Sequence, residues 1–130
     1  MGDLSKNFSL HEFRCKDGTA VPEELRDNLS VLVENLQILR DRLDVPITVI
    51  SGYRSETYNR RCGGVRFSQH LLALAADVRA QGHSSADLQG IVIEMIKSGE
   101  IKNGGIGVYP SFLHYDCRSG RAARWRGSKG

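Results

Sequence analysis

Apolar residues along this chain recur in two kinds of spacing. Between Pro22 and Leu43, Leu25, Leu29, Leu32, Val33, Leu36, Leu39 and Leu43 fall at three- and four-residue steps, which lays them in one stripe of a helix. Pro22 stands where a first-turn proline is tolerated, and Glu23 and Glu24 favour the positive end of the helix dipole. A second stripe of Leu88, Ile91, Val92, Met95 and Ile96 predicts a helix from about Ser85 to Ser98. Ile47-Thr48-Val49-Ile50, just after Pro46, is β-branched throughout and predicts a buried strand. Residues 74–79 suit a second strand. Gly104-Gly105-Ile106-Gly107-Val108-Tyr109 reads as a turn and a strand, and Phe112 to Cys117, beyond Pro110, as a further strand. Residues 55–62 read as a short helix leading into Gly63-Gly64, and Phe8, Leu10 and Phe13 mark a lead-in that docks on the body. Together these elements predict an α+β fold, a small, mainly antiparallel sheet with helices packed on one side.

Composition narrows the picture. At 130 residues, the chain reads as one domain over 1–130, long enough to hold a core without disulfides. A hydrophobic share of 40% and a charged share of 25% mark a globular rather than a disordered chain. The net charge of +3 comes without any long Lys/Arg block, which argues against a nucleic-acid partner. The basic surplus gathers in a tail over about 118–130, where Arg118, Arg121, Arg124, Arg126 and Lys129 meet no acid. Such a tail suits an anionic surface, a cell-wall polymer included, and reads equally as a solvated terminus. Cys15, Cys62 and Cys117 are odd in number and widely spaced; they match neither a disulfide framework nor a CxxC zinc knuckle and read as reduced thiols. The opening MGDLSKNFSLHEF has no apolar signal-peptide core, and no stretch approaches a membrane span. The expectation is a monomer made in the cytoplasm that reaches any wall substrate by release or export.

Candidate chemistry centres on the histidines, of which there are four, at 11, 70, 83 and 114. A catalytic zinc site takes three protein ligands from histidine and carboxylate and keeps a fourth position open. His70 and Asp77 are separated by six residues, which would put them roughly 10 Å apart on one helix and roughly 23 Å apart on one straight strand. To share an ion the chain must fold back between them, with Leu71 to Leu74 making the turn, and His114 must arrive from a later strand. By spacing alone, a capped loop histidine and a salt-bridged aspartate explain the pair more simply.

The surrounding sequence changes that reading. Ser51-Gly52-Tyr53-Arg54-Ser55, then Ser68-Gln69-His70 with Ala75 and Asp77, then Phe112-Leu113-His114-Tyr115-Asp116 together resemble the zinc D-Ala-D-Ala carboxypeptidase family, peptidase family M15. The wider group includes phage L-alanyl-D-glutamate endolysins, vancomycin-resistance dipeptidases and the hedgehog signalling domain. The resemblance runs from about Phe8 to Arg118 and takes in the order of helices and strands, so it implies the hedgehog-type zinc peptidase fold. It implies Zn2+ held by His70, Asp77 and His114, and a substrate-contacting role for Arg54, whose planar fork suits a carboxylate or a developing oxyanion. A structural salt bridge is the other reading of Arg54. Ser68 would bind substrate, orient a ligand or cap a turn.

Two positions depart from the family pattern. Its glycine three residues after the first histidine is Ala73 here, which stores strain if the backbone there needs a positive φ. Several branches place a carboxylate three residues before the last histidine as general base, and this chain has Ser111. Asp116 shares a strand face with His114; it reads as the proton-moving base, as a group that fixes His114, or as a partner of Arg118. The function expected is hydrolysis of an amide bond in peptidoglycan stem or cross-link peptides, in a phage lysis or wall-remodelling setting. A zinc-containing wall-binding or virion module without catalysis is the alternative that Ala73 and Ser111 favour. Cys117 faces away from His114 and reads as core, His83 as an exposed loop residue, and Trp125 as either packing on the body or touching glycan.

Overall fold

A computed structural model describes residues 2–128. The long apolar stripe becomes helix α1, Arg26–Leu43, entered through a 3-10 turn at Glu23–Leu25. Leu29, Leu32, Val33, Leu36 and Leu39 are its buried residues. It ends at Asp44, whose φ of 53° and N–H bond to the Arg40 carbonyl close the last turn. Strand β1, Ile47–Ser51, follows at once, then the short helix α2, Glu56–Arg61. Ser55 caps α2 by accepting the Tyr58 N–H. Strand β2 is Ala75–Ala80, helix α3 is Ser85–Lys97, and strands β3 and β4 are Gly105–Val108 and Leu113–Asp116.

These elements fall within a residue or two of their sequence expectations, except that α1 begins at Arg26 and not near Pro22, the turn before it being 3-10; the fold is α+β. One element was not foreseen. Within the segment read as a basic tail, Ala123–Arg126 forms a fifth strand, β5; Lys129, the last base of that tail, lies outside the described residues. The strand order is β1-β2-β4-β3-β5. The first three pairings are antiparallel and β3–β5 is parallel, so the sheet is mixed.

Alternation along the strands divides the sheet into two faces. Val49, Ala76, Val78, Ala80, Ile106, Val108, Leu113, Tyr115 and Cys117 belong to the same buried cluster as the α1 stripe and Leu88, Val92 and Met95 of α3. Arg42 of α1 reaches Glu94 and Glu100, tying the first helix to α3 and the turn beyond it. Phe8 and Phe13 of the lead-in are fully buried, as expected of a segment that docks. The opposite face carries the polar residues. Register places Ser51 opposite Asp77, Asp77 opposite His114, His114 opposite Gly107, and Gly107 opposite Trp125. One lateral row across five strands therefore brings together residues 51, 77, 114, 107 and 125. A neighbouring row joins Ala75, Asp116, Gly105 and Ala123.

Candidate metal centre

His70 reaches this polar face from a 3-10 turn, Gln69–Leu72, that folds the chain back as the spacing demanded. Ser68 caps the turn by accepting the His70 N–H at 3.2 Å. Ala73 closes it with φ 57° and ψ 30°, so the positive φ that a glycine would supply is taken by an alanine. The chain then enters β2 and delivers Asp77, with His114 directly across the ladder on β4.

One ligand atom from each of His70, Asp77 and His114 lies within 4.8 Å of the others, and all three residues are buried. The donors fit a zinc ion on two local observations. The Nδ1–H of His70 is committed to the Gly52 carbonyl at 2.6 Å, so Nε2 presents a lone pair. That lone pair faces Asp77 Oδ1 at 3.3 Å, and two such acceptors side by side call for a cation between them. Asp77 Oδ1 is also 3.0 Å from His114 Nδ1, where the contact requires a proton or a metal. Two imidazoles and a carboxylate are a donor set zinc takes readily.

The electrostatics agree in direction. Burial pushes the His70 pKa down, against the pull of Asp77, and favours the neutral ring. Burial alone would raise Asp77, but its bonds to His114 and His70 outweigh this and hold it ionised below the usual carboxylate range. Burial also opposes charge on His114, yet Asp116 and Asp77 together outweigh it and raise its pKa.

Asp116 sits behind His114, at the ring nitrogen that does not meet Asp77. Its Oδ2 accepts from His114 Nε2 at 2.7 Å and from Arg118 Nη2 at 2.7 Å. Its Oδ1 accepts from the Gly105 N–H at 2.9 Å, the Arg118 N–H at 3.1 Å and Arg118 Nε at 2.9 Å. The residue is 0% exposed. Gly105 makes room for it: a β-carbon there would lie 2.2 Å from Oδ2. Of the readings open for Asp116, the arrangement combines the holder of His114 with the partner of Arg118. Ser111 lies outside the cleft lining, its carbonyl accepting from Arg79 Nε at 2.9 Å.

The three candidate ligands line a cleft of about 640 Å³. Arg54 forms part of its wall, with Nη1 3.2 Å from Asn59 Oδ1 and Nη2 3.5 Å from Asp77 Oδ2. Asn59, buried on α2, was not singled out from sequence. Gly64 beside it was a usable signal, since a β-carbon there would lie 2.1 Å from Asn59 Oδ1. Ser68 also lines the cleft, and so do Tyr109, Phe112 and Trp125. Trp125 thus packs on the body, its ring 4.9 Å from that of His114. His83 lies 3.9 Å from Asp87 and takes no part in the cluster, and His11 is exposed. Cys117 is buried on the helix side of β4, where burial pushes its thiol pKa up to about 11.

Comparison with known proteins gives two matches. The family model described as Peptidase M15 matches residues 6–116. The zinc D-Ala-D-Ala carboxypeptidase of Streptomyces albus G is 38% identical over 80 residues, which cover 57% of this chain and 31% of that protein. The chain therefore aligns with about a third of the length of that relative.

Proposed function

The chain belongs to the peptidase M15 family, and from that premise we propose that it is a zinc-dependent peptidase hydrolysing an amide bond in peptidoglycan peptides. The observation that carries this reading is the convergence of His70, Asp77 and His114 on one wall of an open cleft. The similarity to a zinc D-Ala-D-Ala carboxypeptidase supports the choice of substrate class. We assign His70 Nε2, Asp77 and His114 Nδ1 as the ligands. Zinc, when bound there, supplies Lewis-acid chemistry, polarising an amide carbonyl and acidifying a water.

The side chains around it bind and orient. Gly52 fixes the tautomer of His70, and Asp116 fixes that of His114 by accepting its Nε2–H. We therefore give Asp116 a positioning role in place of proton transfer. Arg54, held by Asn59 and Asp77, presents a cation at the cleft wall to a carboxylate or to charge developing on a carbonyl oxygen. Ser68 sets the His70 turn and borders the same space. The biological setting we favour is lysis or remodelling of the cell wall.

The test is to incubate zinc-loaded protein with purified peptidoglycan and count new free amino groups. The reading expects amines to appear, and to be lost on chelation and in His114→Ala. Tight association with the wall and no new amines would transfer the protein to the non-catalytic binding class.

A further inference from the structure

The aromatic wall beside His114 is a built feature with no role in the chemistry described so far. Tyr109 is fixed at both backbone groups: its carbonyl accepts the Ser85 hydroxyl at 2.6 Å, and its N–H donates to the Phe112 carbonyl at 3.0 Å. Its ring stacks on Phe112 with centroids 4.5 Å apart and planes 13° from parallel. The phenol also rests against Gly127, where a β-carbon would lie 2.0 Å from the ring. The indole of Trp125 is seated in the same manner on Gly107, where a β-carbon would lie 2.4 Å from Nε1. Two glycines thus make room for two aromatic rings at the edge of one cleft.

The hydrogen bond joining these rings has a definite direction. Indole Nε1–H can only donate, so at 3.0 Å it donates to the Tyr109 hydroxyl oxygen. The hydroxyl proton of Tyr109 is left over, and it goes to no protein acceptor among the described residues. Arg118 is engaged by Asp116, and Arg54, which presents its charge at the cleft wall, is anchored by Asn59 and Asp77. Trp125, which orients the phenol, packs against His114. A fixed donor with a free proton, lining the same cleft as His70, Asp77 and His114, is what an oxygen gaining negative charge requires.

We propose that Tyr109, oriented by Trp125, donates a hydrogen bond to the carbonyl oxygen of the bound peptide as charge develops on it. The inference rests on the peptidase reading for its substrate, and on the geometry of the aromatic wall for the residue.

Tyr109→Phe keeps the ring, its stack on Phe112 and its seat on Gly127 while deleting the hydroxyl. With peptidoglycan as substrate, kcat should fall about 10- to 100-fold with little change in KM. Zinc affinity should stay at the parent value, and melting temperature should fall by no more than the loss of one part-buried hydrogen bond. A phosphinate analogue of an Ala-Ala dipeptide, tetrahedral at phosphorus, should lose binding by a similar factor. Trp125→Phe, which removes the orienting N–H together with part of the ring, should lower kcat by a smaller factor. Parent-level kcat and phosphinate affinity in Tyr109→Phe overturn the inference, as does a rise in KM with kcat intact. Parent protein that binds the phosphinate through Tyr109 but cleaves no peptidoglycan refutes the peptidase reading and leaves the donor standing. Parent protein that does neither overturns both.

Discussion

At Asp116, whether a carboxylate takes protons or holds a ring depends on which of its lone pairs are already engaged. Both oxygens are occupied by His114, Arg118 and the Gly105 N–H, and Arg118 and His114 outweigh burial to keep the group ionised below the usual range. Asp116→Asn should therefore weaken zinc binding by about 10- to 100-fold, read by competition with a chromogenic chelator. A proton acceptor would give the opposite pattern, with kcat collapsing at full zinc occupancy. Strand alternation made it legible from sequence that Asp116 shares a face with His114. Its place behind the ring was not legible, because that depends on Arg118 and on the missing side chain of Gly105. Ala73 shows how several small terms compete at one residue. Its positive φ costs about 1–2 kcal/mol relative to glycine. Ala73→Gly relieves that, but adds about 0.4–1 kcal/mol of unfolded-chain entropy and exchanges a buried methyl worth about 0.8 kcal/mol. The net change should stay within about 1 kcal/mol, whereas a β-branched valine should cost roughly 2–3 kcal/mol. Denaturant melts of both variants check this.

Among the elements, β5 separates what periodicity reveals from what it hides. Helix α1 was readable because its leucines repeat at helical steps, and β1 because it is β-branched throughout. Ala123-Arg124-Trp125-Arg126 alternates an apolar position with an arginine and sits among further bases, so it reads as a solvated end. It becomes a strand through parallel pairing with β3, a contact between distant segments that local pattern does not encode. The glycines of β3 are the other half of that contact. Gly107 stands between His114 and Trp125 in the cross-sheet row, and having no side chain it lets the indole lean toward the imidazole. Gly107→Ala should displace the indole and cost about 1–3 kcal/mol. Since Trp125 is the sole tryptophan, its fluorescence reports the change directly: emission should shift to the red while zinc affinity changes little. Unchanged emission would mean that the indole does not rest on Gly107.

Across the whole molecule, function follows from one sheet used on both sides. The helix-covered face buries the apolar cluster that holds the strands in register, and that register sets Asp77, His114 and Trp125 in line on the other face. The motif order along the chain foretold which residues would meet. It did not foretell the row in which they meet, since register is a property of paired strands and not of any one of them. The aromatic wall was likewise hidden, its members lying at 109, 112 and 125 with no shared motif. The claim most central to this account is that His70, Asp77 and His114 together hold zinc. Anomalous diffraction at the zinc edge from zinc-loaded crystals tests it directly. The account predicts a single strong peak about 2.0–2.2 Å from His70 Nε2, an Asp77 oxygen and His114 Nδ1, with no sulfur ligand. A peak at another position, a cysteine sulfur at about 2.3 Å, or no peak at stoichiometric zinc would contradict it.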